Sequence, residues 1–110
     1  MQAFLKGGAV LLCLVGLLLG DPASAQQAQT YTVEMSKLKF MPDTITVHVG
    51  DTVVFVNKDI VPHTATQKPA GWDSSTIKKD GSWTFRAEAA GSFDIICRFH
   101  PVMKGKLVVE

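Results

Sequence analysis

From Thr30 onward the chain alternates. Tyr31, Val33 and Met35 fall on one side and Thr32, Glu34 and Ser36 on the other, the period-two pattern of a strand with one buried face. A second alternating run sets Ile45, Val47 and Val49 against Thr44, Thr46 and His48, and Gly50-Asp51 then turns the chain. Thr52 to Asn57 is a β-branched run, which predicts a strand buried on both sides. Ser82 to Arg86, Ser92 to Cys97 and Lys104 to Glu110 read as further strands, separated by Asp80-Gly81, Ala90-Gly91 and the segment around Pro101. No long stretch carries a helical period, and only the irregular segment from Gln67 to Lys79 has room for a short helical turn. Roughly seven or eight short strands at this spacing predict an all-β domain, a two-sheet sandwich. Its inward candidates are Val33, Leu38, Phe40, Ile45, Val47, Val53, Phe55, Trp83, Phe85, Phe93, Ile95, Leu107 and Val109.

The first 25 residues break this pattern. Lys6 is the only charge before Asp21, an uncharged stretch runs from Gly7 to Gly20, and Ala23-Ser24-Ala25 closes it with small residues. A basic start, a short apolar run and an A-x-A end are the three parts of a secretory signal peptide. The run is too short for a stable membrane span, which takes about 20 apolar residues. A lipid attachment at Cys13 is disfavoured by the bulky Leu12 before it. The expectation is a leader over residues 1–25 and one exported, periplasmic or otherwise extracytoplasmic domain over residues 26–110.

Composition narrows the partners. Eleven Lys and Arg against ten Asp and Glu give a net charge of +1, and charged residues make up 19% of the chain. That balance lacks the basic footprint of a nucleic-acid-binding protein. Hydrophobic residues at 46% are those of a globular chain. Removing the leader takes Cys13 with it, so Cys97 becomes a lone thiol in an oxidising compartment. Such a thiol is buried, paired between chains or ligated.

The segment Cys97-Arg98-Phe99-His100-Pro101-Val102-Met103 favours ligation. It carries a thiolate, an imidazole and a thioether at C-x2-H-x2-M spacing on one strand-to-strand loop, short enough for the three to converge. A second imidazole, His63, follows Pro62 beyond the run Thr52 to Asn57. Taken singly, each has a plain reading as a buried cysteine, a core methionine or a surface histidine. Taken together, two His, one Cys and a Met are the ligand set of a blue-copper centre. Zinc takes the same His and Cys ligands, but a thioether is a poor fourth donor for it.

The stretch from Gly50 through Val61-Pro62-His63, and that from Ala90-Gly91 through Cys97, His100 and Met103 to Val109, resemble the small type 1 copper proteins, the cupredoxins. The ligand spacing is most similar to that of amicyanins; plastocyanins and pseudoazurins have a longer gap before the Met. The resemblance implies a Greek-key sandwich with one copper at one end, held by His63, Cys97 and His100 with Met103 as the weak axial ligand. It implies a soluble, monomeric one-electron carrier, not an enzyme. Its partners would be redox proteins, a donor dehydrogenase or membrane complex and an acceptor cytochrome or oxidase, docking near His100. Pro62, Phe99, Pro101 and Val102 are the candidates for the apolar docking patch, with Arg98 and Lys104 steering an acidic partner. The alternative is a copper-delivery protein without a redox role. Two positions depart from the family pattern. Thr64 stands where many relatives have Asn tying the two ligand loops together, and its hydroxyl is expected to do part of that job. Phe99 stands where amicyanins have Pro, and its N–H is expected to reach the Cys97 sulfur.

Overall fold

The computed structural model describes residues 27–110. The leader assigned to residues 1–25 lies outside the described residues. Eight strands follow in order: β1 (Thr30–Ser36), β2 (Lys39–Met41), β3 (Thr44–Val47), β4 (Thr52–Asn57), β5 (Thr66–Lys68), β6 (Ser82–Arg86), β7 (Gly91–Ile96) and β8 (Lys104–Val109). They form two four-stranded sheets, β2-β1-β4-β6 and β3-β8-β7-β5. β1 runs parallel to β4, and β3 parallel to β8, while the remaining neighbours are antiparallel. The chain is therefore an all-β sandwich whose sheets exchange strands by crossovers.

The alternation seen in the sequence is what fills the space between the sheets. Val33 lies beside Phe55 in the β1–β4 register, and both are buried with Met35, Val47, Val53, Ile95, Leu107 and Val109. Burial of these side chains supplies the main driving force for the fold. Trp72 packs against the core, on Phe85 at 4.5 Å between ring centroids and on Trp83 at 5.7 Å. Both tryptophans are packing residues.

Three expectations are corrected. β4 is not buried on both sides: Val53, Phe55 and Asn57 are buried, whereas Thr52, Val54 and Val56 are half-buried. Leu38 is not in the core but 40% exposed, because it occupies the tight turn between β1 and β2. Both turn residues, Lys37 and Leu38, have positive φ, at 55° and 60°, as the favoured two-residue hairpin turn requires. The segment 69–79 contains no helical turn; it folds back by isolated pairings of His63 with Ile77 and Thr66 with Asp73.

Candidate metal centre

His63 is held by the chain that follows β4. Asn57, the last residue of that strand, is buried, and its amide donates to the carbonyls of Val61 and Ile77, each at 2.9 Å. Its side-chain oxygen accepts the Asp59 N–H at 2.8 Å. One buried amide thus fixes the arc leading to His63 and the strand-like segment opposite it. His63 itself exchanges two backbone hydrogen bonds with Ile77, at 3.1 and 2.8 Å. Its backbone has no freedom to swing.

Asp59 orients the ring. His63 Nε2–H donates to Asp59 Oδ2 at 2.8 Å. A carboxylate only accepts, so neutral His63 carries its proton on Nε2 and turns the Nδ1 lone pair inward. The same carboxylate accepts the N–H groups of Lys37 at 2.7 Å and Leu38 at 3.0 Å. Burial pushes the Asp59 carboxyl up, but the Leu38 N–H, the His63 ring and the Lys37 N–H outweigh it and hold the group below the usual carboxylate range. Asp59 therefore joins the β1–β2 turn to the loop that carries His63.

The second loop explains its own spacing. Cys97 directly follows β7 and Met103 directly precedes β8. The His100 N–H donates to the Cys97 carbonyl at 3.3 Å and the Met103 N–H to the His100 carbonyl at 2.9 Å. These are two successive i→i+3 turns, in which side chains three residues apart stack on one side. The Cys97 N–H closes the loop on the Met103 carbonyl at 3.4 Å. C-x2-H-x2-M is the sequence form of that double turn.

The two loops meet at three atoms. His63 Nδ1 and His100 Nδ1 are 3.1 Å apart, and each lies 3.7 Å from Cys97 Sγ. The centre of that triangle is about 2 Å from each corner, close to a metal–nitrogen bond length and slightly under a metal–thiolate one. His63, Cys97 and Met103 are buried, and His100 is half-buried. Two imidazole nitrogens and a thiolate, with a buried thioether residue one turn further on, make a donor set suited to copper.

A sequence profile of the cupredoxin-like domain matches residues 9–109. The chain belongs to the cupredoxin-like family. It is 33% identical over 88 residues to amicyanin of Paracoccus versutus, spanning 76% of this chain and 67% of that one. To amicyanin-alpha of Methylorubrum extorquens it is 27% identical, over 98% of this chain and 97% of the other. Among solved structures, the Cu(I) form of a methionine-to-alanine variant of amicyanin superposes with a TM-score of 0.69 at 30% identity, covering 80% of this chain and 88% of that one. The eight strands in two sheets are thus a cupredoxin sandwich of the amicyanin kind.

Within this cupredoxin, the structure gathers the donor atoms of His63, Cys97 and His100 within 4.8 Å of one another, and Met103 ends the same loop. Thr64 does join the loops, because its Oγ1 accepts the Arg98 N–H at 2.9 Å. The expectation for Phe99 is corrected. Among the described residues, the backbone N–H that reaches Cys97 Sγ is that of Thr64, at 3.3 Å. The Phe99 side chain is exposed instead. Arg98 is also not a free steering charge, since its Nε–H donates to Asp73 Oδ2 at 2.9 Å. His48 sits at the far end of the sandwich, 3.9 Å from both Asp51 and Glu110. Sequence reasoning missed Asn57 and Asp59. The only signal for Asp59 was a carboxylate four residues before a candidate ligand.

Proposed function

We propose that residues 26–110 form an exported, soluble one-electron carrier holding a single type 1 copper on His63, Cys97, His100 and Met103. The observation that carries this reading is the triangle of two imidazole nitrogens and one thiolate sulfur, with its sides of 3.1 and 3.7 Å. A copper ion bound there supplies a Cu(II)/Cu(I) couple. Every other task falls to the chain. Asp59 fixes the His63 tautomer, the double turn spaces Cys97, His100 and Met103, and Thr64 donates an N–H to the sulfur. Ligands anchored in this way move little between redox states, which keeps reorganisation small. Three of the four side chains are buried and the fourth is half-buried, an enclosed setting that favours a carrier over an enzyme.

The surface around the site supports the same reading. Ile60 is 83% exposed and Val102 76%, and Leu38, Val61 and Phe99 are also exposed. They come from the His63 loop, the His100 loop and the turn that Asp59 ties to them. An exposed apolar patch of this kind marks a protein-docking face. The occupants proposed are redox proteins, a donor dehydrogenase or membrane complex and an acceptor cytochrome or oxidase, meeting the half-buried edge of His100 on a monomeric carrier. Periplasmic location follows from the leader assigned to residues 1–25.

Voltammetry of the copper-loaded domain tests this function. The expected result is a reversible one-electron wave that persists over repeated cycles. Loss of copper on the first reduction would favour metal delivery over electron transfer.

A further inference from the structure

The position after His63 and the position after Cys97 are joined by more than one hydrogen bond. Thr66 Oγ1 donates to Asp73 Oδ1 at 3.2 Å. A hydroxyl has one proton, so Thr66 Oγ1, 2.9 Å from Thr64 Oγ1, must accept the Thr64 proton. Thr64 Oγ1 is then left as an acceptor, and it takes the Arg98 N–H at 2.9 Å. The Arg98 side chain turns back to the same carboxylate, with Nε–H donating to Asp73 Oδ2 at 2.9 Å. Thr64, Thr66, Asp73 and Arg98 form a closed ring in which every proton has one direction. Thr64, its innermost member, is fully buried, and its N–H is the one donated to Cys97 Sγ.

We propose that Asp73, 24 residues before Cys97 and on neither ligand loop, is a positioning residue for the Cys97 sulfur. It terminates the hydroxyl chain Thr64 to Thr66 to Asp73, and so fixes the Thr64 N–H on that sulfur. Its carboxylate is anchored independently of the ring: Oδ1 also accepts the Ser75 N–H at 2.8 Å, and the Thr66 and Asp73 backbones are paired. That Ser75 N–H chiefly, then the Arg98 guanidinium and the Thr66 hydroxyl, hold the carboxyl below its usual range against the effect of burial. Asp73 is an acceptor only, as the ring requires. A hydrogen bond to a metal-bound thiolate tunes the reduction potential, so Asp73 acts on the copper of the proposed function without touching a ligand.

The test measures amide exchange in the metal-free domain and the reduction potential of the copper-loaded one. The variants are Asp73→Ala, Thr66→Val and, as a control, Asp94→Ala, which breaks only the surface pair with Lys106. Thr66→Val removes the hydroxyl link while leaving the Asp73 bonds to Arg98 and Ser75 in place. In both ring variants the Thr64 and Arg98 amides should exchange roughly fivefold faster or more. The potential should fall in both, since the thiolate becomes a stronger donor, and neither quantity should move in Asp94→Ala. Unchanged amides in Thr66→Val would overturn the proposal, whatever Asp73→Ala does through its own turn. Because exchange is read without copper, faster amides in a protein that binds no copper would uphold the ring and sink the copper reading alone.

Discussion

Asp59 receives three donors on one carboxylate: the Lys37 and Leu38 N–H groups and the His63 ring. Two of them lie in a turn whose φ angles are unfavourable for non-glycine residues, and the third is a proposed metal ligand. Asp59→Ala should therefore act twice. Hydrogen bonds to a charged group contribute about 1.5–3 kcal/mol each at most, so a loss of about 2 kcal/mol is expected in urea denaturation of the metal-free domain. Copper affinity should drop by roughly 10- to 100-fold, as when an outer partner of a ligating histidine is removed. A variant with wild-type affinity would show that Asp59 supports only the turn. At this scale Cys97, His100 and Met103 were legible because local turns set their spacing, and His63 because a second imidazole completes their donor set. Asp59 and Asp73 were not: a carboxylate four residues before His63 is a weak signal, and their bonds to Lys37 and Arg98 span 22 and 25 residues, which no local pattern marks.

β1 and β3 were legible from their alternation, β4 as a β-branched run, and β6, β7 and β8 from the turn residues that bracket them. β2 and β5 have three residues each, too few to display a period. Leu38 was misplaced in the core because hydrophobicity alone cannot tell a strand residue from the corner of a hairpin. The turn it occupies has positive φ at both central positions, for which Asn-Gly is the favoured pair. Replacing Lys37→Asn and Leu38→Gly together should raise stability by about 1 kcal/mol, since a left-handed L-residue costs about that much. Thermal denaturation of the metal-free domain reads this directly. A destabilised double variant would mean that Leu38 packing outweighs the strain of the turn.

Across the whole molecule, the site occupies one end of the sandwich and a second polar anchor occupies the other. There, buried Asp51 accepts the Gln29 and His48 N–H groups, both at 2.8 Å, and these two bonds hold its carboxyl below the usual range. Asp59 and Asp73 are shifted the same way. For each, the unfolded chain takes up the proton first as pH falls. The stability they contribute is fully present above the ordinary carboxylate value of about 3.9 and is lost as pH drops through the lower folded-state values. Stability of the metal-free domain should decline below about pH 4, with a shallower decline in Asp51→Asn; equal slopes would remove Asp51 from this account. The all-β fold class was readable from alternation and turn residues, and three of the four candidate ligands from one short motif. The ring behind Cys97 and the tie from Asp59 to the hairpin emerge only once the sheets bring distant loops together.

The central claim is that His63, Cys97, His100 and Met103 hold copper with the Cys97 thiolate as a principal donor. It is tested most directly by the visible and electron paramagnetic resonance spectra of the domain after addition of Cu(II), with Cys97→Ser alongside. The expected result is an intense thiolate-to-copper charge-transfer band with narrow hyperfine splitting, absent from Cys97→Ser. A pale spectrum with ordinary wide splitting from the unsubstituted chain, or an intense band that survives in Cys97→Ser, would contradict it.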